Sequence, residues 1–126
     1  MALTPHELVI EAKSNIKEIT VDGAVQEVAN GTLILDVREP FEFEAGRIAN
    51  AINIPRGLLE FKTLDHPALA AKDAKIVIYC RTGGRSALAA FNLVRLGYTG
   101  VMSMDGGVEA WGKQGHALVT DTTSYS

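Results

Sequence analysis

The segment best equipped for chemistry is Ile76-Val77-Ile78-Tyr79-Cys80-Arg81-Thr82-Gly83-Gly84-Arg85-Ser86. Cys80 is the single cysteine of the chain. It stands where a continuous β-branched run ends and a glycine-containing turn begins. In an open α/β sheet that position is the carboxyl edge, where ligands collect. Gly83 and Gly84 let the backbone curl until several N–H groups point inward. A helix beginning near Ser86 adds unpaired N–H groups and the positive end of its dipole. Arg81 and Arg85 add cations, and such surroundings favour the thiolate, the nucleophilic form of cysteine. A cysteine at a strand end is, taken alone, a common small buried hydrophobe. Arg85 taken alone reads as a solvated helix-end charge. Strand, glycines, arginines and helix falling in register favour the reactive reading of both.

Positioning that loop requires a frame, and the flanking sequence supplies one. Leu33-Ile34-Leu35-Asp36-Val37 and Ile76-Val77-Ile78-Tyr79 are continuous apolar runs of strand length, the pattern of strands covered on both faces. Shorter strands are predicted at Glu18-Ile19-Thr20, at Ala51-Ile52-Asn53-Ile54 and at Val101-Met102-Ser103-Met104. Helical stretches lie between them. Thr20 caps one that runs through Val25 and Val28 and stops at Asn30-Gly31. Ser86 to Leu96 is another, with Leu88, Ala89, Leu93 and Leu96 on one stripe, and Val108 to Lys113, carrying Trp111, is a third. At the front, Thr4-Pro5-His6-Glu7 is a helix start, with Thr4 as cap and Pro5 at the first helical position. Leu8, Val9, Ala12 and Ile16 then share one face, which predicts an amphipathic helix over about residues 4–15. Strands alternating with helices imply a parallel sheet in an α/β layer structure. Residues 1–16 read as a helical extension, 17–117 as one domain and 118–126 as a polar tail.

Composition narrows the function classes. The 126 residues suit one domain with one core. Twelve basic against 15 acidic side chains give a net charge of -3, no footprint for nucleic acid. No apolar run is long enough to span a membrane. Met1 to Glu7 lacks the basic segment and apolar core of a signal peptide. One cysteine allows no internal disulfide, so a cytoplasmic location is expected. His6, His66 and His116 are far apart without ligand spacing, so no metal and no cofactor are expected. There is no Gly-x-Ser-x-Gly, so Ser86 is not a hydrolase nucleophile. Gly84-Arg85-Ser86 echoes the end of a phosphate loop, yet Tyr79 occupies the place of its first glycine and Arg85 that of its lysine. Asp36 at a strand end reads as a cap or Asx-turn, Arg38 and Glu39 as a surface pair, Trp111 as core, and Gly106-Gly107 as a turn near the mouth of the site.

Asp36-Val37-Arg38-Glu39-Pro40-Phe41-Glu42-Phe43, Gly46-Arg47-Ile48 and Ala51-Ile52-Asn53-Ile54-Pro55 resemble the first half of the rhodanese domain. Tyr79-Cys80 through Arg85-Ser86, Gly97-Tyr98, Val101 and Gly106-Gly107 with Trp111 resemble its second half. The resemblance covers roughly residues 18–115 and is to the thiosulfate sulfurtransferase type, with an added N-terminal helix. It implies a three-layer α/β fold, a central parallel five-stranded sheet with helices on both faces. It implies that Cys80 is the catalytic cysteine, that Arg81, Thr82, Gly83, Gly84, Arg85 and Ser86 form the substrate-binding loop, and that Asp36 orders the loop's neighbourhood. Two positions depart from the family pattern: Arg47 where many members carry histidine, and Asn50 where many carry glycine. Arg47 remains a donor and a cation, a candidate supporting residue. Asn50 tolerates a left-handed backbone better than most residues.

The function so implied is sulfur transfer. Cys80 would take the outer sulfur of thiosulfate or a related donor as a persulfide and pass it to cyanide, a small thiol or a protein thiol. With no second cysteine, the acceptor must come from outside the chain. One alternative is a phosphatase or arsenate reductase on the same scaffold. Those relatives have a loop one residue longer, and a shorter cradle suits a sulfur atom better than a tetrahedral phosphate. The other is a sulfur-carrier or regulatory binding domain, versions of which typically lack the cysteine.

Overall fold

In the computed structural model, which describes residues 2–120, α1 (Pro5–Lys13) leads into β1 (Lys17–Ile19), α2 (Val21–Ala29), β2 (Leu33–Asp36), α3 (Pro40–Ala45) and β3 (Ile52–Asn53). The chain continues through α4 (Arg56–Lys62), a 3-10 turn (Pro67–Leu69), β4 (Lys75–Tyr79), α5 (Gly84–Arg95), β5 (Gly100–Met104) and α6 (Gly107–Lys113). The five strands form one sheet in the order β1-β5-β4-β2-β3, and every pairing is parallel. This is the five-stranded parallel α/β sheet that the resemblance implies. The polar tail read at residues 118–126 lies, from Asp121 on, outside the described residues. Ahead of it Val119 exchanges two backbone hydrogen bonds with Arg47, at 3.0 and 2.7 Å.

The continuous apolar strands are explained by the period of two along a strand, which sends neighbours to opposite faces. Leu35, Ile76 and Ile78 face one core with Leu59 of α4 and Ala89, Ala90 and Leu93 of α5. Ile34, Val77 and Tyr79 face the other with Val21 and Ala24 of α2 and Trp111 of α6. The edge strands β1 and β3 have three and two residues, which limits unwanted strand pairing.

The helix starts follow the capping chemistry of the sequence. Thr4 forms a capping box with Glu7, and the Thr20 hydroxyl accepts from the Gly23 amide. Two helices were not predicted. In α3, Pro40 occupies the first turn, and the Glu42 carboxylate accepts from the Glu39 amide at 3.0 Å. In α4, Pro55 stands at the cap position, and the Arg56 amide donates to the Val37 carbonyl. Both are too short for a helical period to emerge, at six and seven residues. Arg38 also differs from expectation. It is 6% exposed and grips both Asp36 oxygens and the Gly46 carbonyl, instead of pairing with Glu39 at the surface. Asn50 is the one non-glycine among the described residues with a left-handed backbone, φ 68°.

Candidate active site

Cys80 follows the last residue of β4 and is 1% exposed. Its sulfur accepts hydrogen bonds from the amides of Gly83 at 3.2 Å and Ser86 at 3.4 Å. The second of these has a structural cause. Helix α5 opens on Gly83, which has no side chain to cap the free amides of the first turn. The Cys80 sulfur takes the place of that missing cap, so the chain geometry that starts the helix also seats the sulfur. A charge on the sulfur then lies at the positive end of the helix. The Ser86 hydroxyl lies 3.6 Å from the sulfur, 3.3 Å from the Gly83 carbonyl and 2.9 Å from the Ser103 hydroxyl.

The turn keeps this shape because of two glycines. Gly83 has φ 109°, and a Cβ there would lie 3.3 Å from the Gly106 amide nitrogen. Gly107 has φ 61°, and its Cβ would come within 2.4 Å of the Arg81 carbonyl oxygen. The close approach lets the start of α6 hold the loop: Val108 donates to the Cys80 carbonyl at 2.9 Å and Glu109 to the Arg81 carbonyl at 3.0 Å. The turn read at Gly106-Gly107 is therefore a clamp on the cysteine loop.

Both loop arginines carry an acidic partner. Arg85 donates from its two terminal nitrogens to the two Glu42 oxygens, at 2.7 and 2.9 Å. Those hydrogen bonds hold the Glu42 carboxyl at about 2, well below its ordinary range, and the same pairing raises Arg85 further. Arg81 reaches Glu109 at 3.2 Å in an exposed pair. Thr82 is exposed beside it, and Gly84 lies against α1, where a Cβ would meet the Val9 side chain at 3.7 Å. The donors nearest the sulfur are thus backbone amides and one hydroxyl, while the arginine charges are balanced at the rim.

Asp36 is fully buried at the end of β2, and Arg38 answers it with a side-chain pair at 2.7 Å and an amide hydrogen bond at 2.8 Å. Beside it, Asn53 donates to the carbonyls of Asp36 and Arg38, which ties β3 to the end of β2. Burial raises the Tyr79 phenol, and its oxygen accepts from the Ile48 amide at 3.1 Å. Arg47 packs its guanidinium over the Phe43 ring at 4.7 Å and bridges to Val119. The structure therefore brings together Cys80, Gly83, Ser86 and the start of α5, sets Arg81 and Arg85 around them, and puts Asp36 at the end of β2 in register with Tyr79. Glu42, Ser103 and Glu109 are partners that sequence reasoning missed. Each contacts the loop from another element, and spacing along the chain carries no sign of it. No cluster of potential metal ligands occurs among the described residues.

Comparison with known proteins agrees with this geometry. The model of the rhodanese-like domain matches residues 17–114. A sulfurtransferase of Allochromatium vinosum is 34% identical over 106 residues, covering 82% of this chain and 95% of that protein. The thiosulfate sulfurtransferase GlpE of Pseudomonas entomophila is 33% identical over 98 residues, covering 78% and 86%. Among solved structures, a protein of unknown function from Rhodopseudomonas palustris, described as a possible tyrosine phosphatase, superposes with a TM-score of 0.86 at 31% identity, covering 94% of this chain and 96% of that one. With the parallel sheet, the capped cysteine and the glycine clamp in place, the chain belongs to the rhodanese-like domain family, among its sulfurtransferase members.

Proposed function

We propose that the chain moves a sulfane sulfur from thiosulfate, or a donor of like chemistry, to an external thiophilic acceptor through a persulfide on Cys80. The observation that carries this reading is the Cys80 sulfur seated on the Gly83 and Ser86 amides at the head of α5. In the first half-reaction the thiolate attacks the outer sulfur of thiosulfate. A sulfur–sulfur bond forms at Cys80, the bond to the sulfonate sulfur breaks, and sulfite leaves with the electron pair. In the second, cyanide or a thiolate takes the outer sulfur and Cys80 returns as a thiolate. Two half-reactions through one covalent intermediate predict ping-pong kinetics. The terminal sulfur rests among the remaining amides of the turn, from Arg81 to Arg85. Arg85, pinned by Glu42, supplies a fixed positive charge at the rim rather than a free fork. The GlpE relative supports thiosulfate as donor.

The deciding experiment is intact mass after exposure to thiosulfate. One added sulfur per chain, removed by cyanide with release of thiocyanate, is the expected result. Cys80→Ser is expected to show neither. Full turnover by that variant rules out the covalent route. The phosphatase reading is tested in parallel with an aryl phosphate. Only Arg81, Thr82, Gly83 and Gly84 separate Cys80 from Arg85, and a phosphoryl group brings three equatorial oxygens that each want a donor. No hydrolysis is expected, and efficient turnover promotes that reading.

A further inference from the structure

We propose that Ser103 is a positioning residue for the sulfur chemistry, a buried hydroxyl that commits the Ser86 hydroxyl to the Cys80 thiolate. The proposal rests on Cys80 being the sulfur-carrying nucleophile. Ser103 lies on β5, the strand next to β4, and is fully buried. Its hydroxyl meets the Ser86 hydroxyl at 2.9 Å, the one side-chain hydrogen bond it makes among the described residues. Ser86 is also fully buried and has two further neighbours, the Cys80 sulfur at 3.6 Å and the Gly83 carbonyl at 3.3 Å.

Counting protons fixes the direction of this chain of hydroxyls. Each hydroxyl has one proton to give. If Ser86 gave its proton to Ser103, the Ser103 proton would be buried without an acceptor, which costs the desolvation of a polar group. The favoured arrangement has Ser103 donating to Ser86, which leaves the Ser86 proton for its other neighbours. When Cys80 is a thiol, its S–H points at the Ser86 oxygen and Ser86 donates to the Gly83 carbonyl. When Cys80 is a thiolate, the sulfur has no proton, and the Ser86 proton turns to it. The chain then runs Ser103 to Ser86 to Cys80, and each link polarises the next. Once the sulfane sulfur is loaded, charge moves to the terminal sulfur and the Ser86 proton returns to the Gly83 carbonyl. Ser103 touches neither substrate nor sulfur. It acts only through Ser86, by denying that hydroxyl a third acceptor.

The charged groups around the loop and beside Ser103 are paired among themselves: Arg85 with Glu42 of α3, Arg81 with Glu109 of α6, Asp36 of β2 with Arg38, and Lys13 of α1 with Asp105 and with Glu18 of β1, the register partner of Ser103. None contacts Ser103 by hydrogen bond or ion pair, so replacing Ser103 leaves these pairs in place.

The test compares Ser103→Thr with Ser103→Val, two branched side chains of equal size that differ in the hydroxyl. It reads the thiolate absorbance of the single cysteine across pH and the rate of persulfide formation from thiosulfate. Thr is expected to match the native chain. Val is expected to lower the thiolate fraction on the acid side of the transition, and the rate of persulfide formation there, by about threefold to tenfold. Ser103→Ala, which removes one atom and adds no bulk, repeats the comparison should the branched pair fold poorly. In a Ser86→Ala background the same Ser103 substitution is expected to change nothing, because the link to the sulfur is already gone. Equal behaviour of Thr and Val, or an undiminished effect in the Ser86→Ala background, overturns the proposal. A native chain that takes up no sulfur overturns the functional reading instead, while the thiolate absorbance decides the relay independently.

Discussion

Glu42 and Arg85 meet through two hydrogen bonds across 43 positions of sequence, and the pairing leaves a titration signature. The Glu42 carboxyl sits at about 2 in the folded chain against an ordinary value of 4.5. A group lowered on folding stabilises above its unfolded value and loses that contribution as pH falls through the folded one. The difference in melting temperature between the native chain and Glu42→Gln is therefore largest above about pH 4.5 and shrinks toward about pH 2. Arg85 is more than a third exposed, so solvent screening keeps the contribution at neutral pH to about 1 kcal/mol. A difference that is flat with pH would contradict the assignment. Because its fork is held by Glu42, Arg85 acts on thiosulfate only as a screened rim charge, so Arg85→Ala is expected to lower kcat/KM for thiosulfate by about 1 kcal/mol or less, with unchanged kcat/KM returning Arg85 to a surface charge. Arg85 was legible because its spacing from Cys80 is local. Glu42 was not, since only the packing of α3 against the head of α5 brings it there. Arg38 was misread for a related reason: nothing in Arg38-Glu39 as a dipeptide shows that Asp36 and the Gly46 carbonyl draw one of the two inward.

At the scale of elements, the cysteine turn is held from outside by α6 and α1. Gly107→Ala would place a methyl group 2.4 Å from the Arg81 carbonyl oxygen at a φ of 61°. A cost of about 2 kcal/mol or more is expected in thermal or urea unfolding, with slower persulfide formation as the clamp backs away from the loop. An active variant of native stability would show that the loop holds itself. Helix α1 packs along α5, buries Ala12 completely and anchors Lys13 to Asp105 at 3.3 Å. A chain starting at Lys17 should therefore melt lower, since the covered face of α5 is opened to water, yet still load sulfur, since α1 gives no donor to Cys80. Loss of loading in a chain still folded by circular dichroism would make α1 part of the site. The long elements, α5 and the central strands, were legible because their apolar patterns repeat enough times to declare a period. The helices α3 and α4 were hidden by brevity, and α3 also by its setting inside a stretch that reads first as a motif.

The sheet order sets the behaviour of the whole molecule. Alternating strands and helices showed that the sheet was parallel, but nothing local reveals that β1 pairs with β5, Lys17 against Met102. Pairings this distant make folding slow, because chain closure precedes any reward from contact. Refolding followed by the fluorescence of the single tryptophan, Trp111, buried with its indole N–H on the Ala117 carbonyl, is expected in milliseconds to seconds. Microsecond refolding would mean that the transition state forms without the β1–β5 pair.

The same order bears on the chain during its synthesis. Residues leave the ribosome in sequence, and Cys80 emerges before Ser86, Ser103 and the glycine clamp that together shelter it. Its strand has β2 waiting on one side and no β5 yet on the other. Until β5 and Gly107 are free, the thiol lacks the Ser103 end of its hydroxyl pair and the α6 clamp, and β1, made well before β5, has no partner at all. The sheltered Cys80 sulfur is thus the product of residues 83–109: a nascent chain that stalls before residue 107 carries a thiol without its clamp, open to any oxidant it meets.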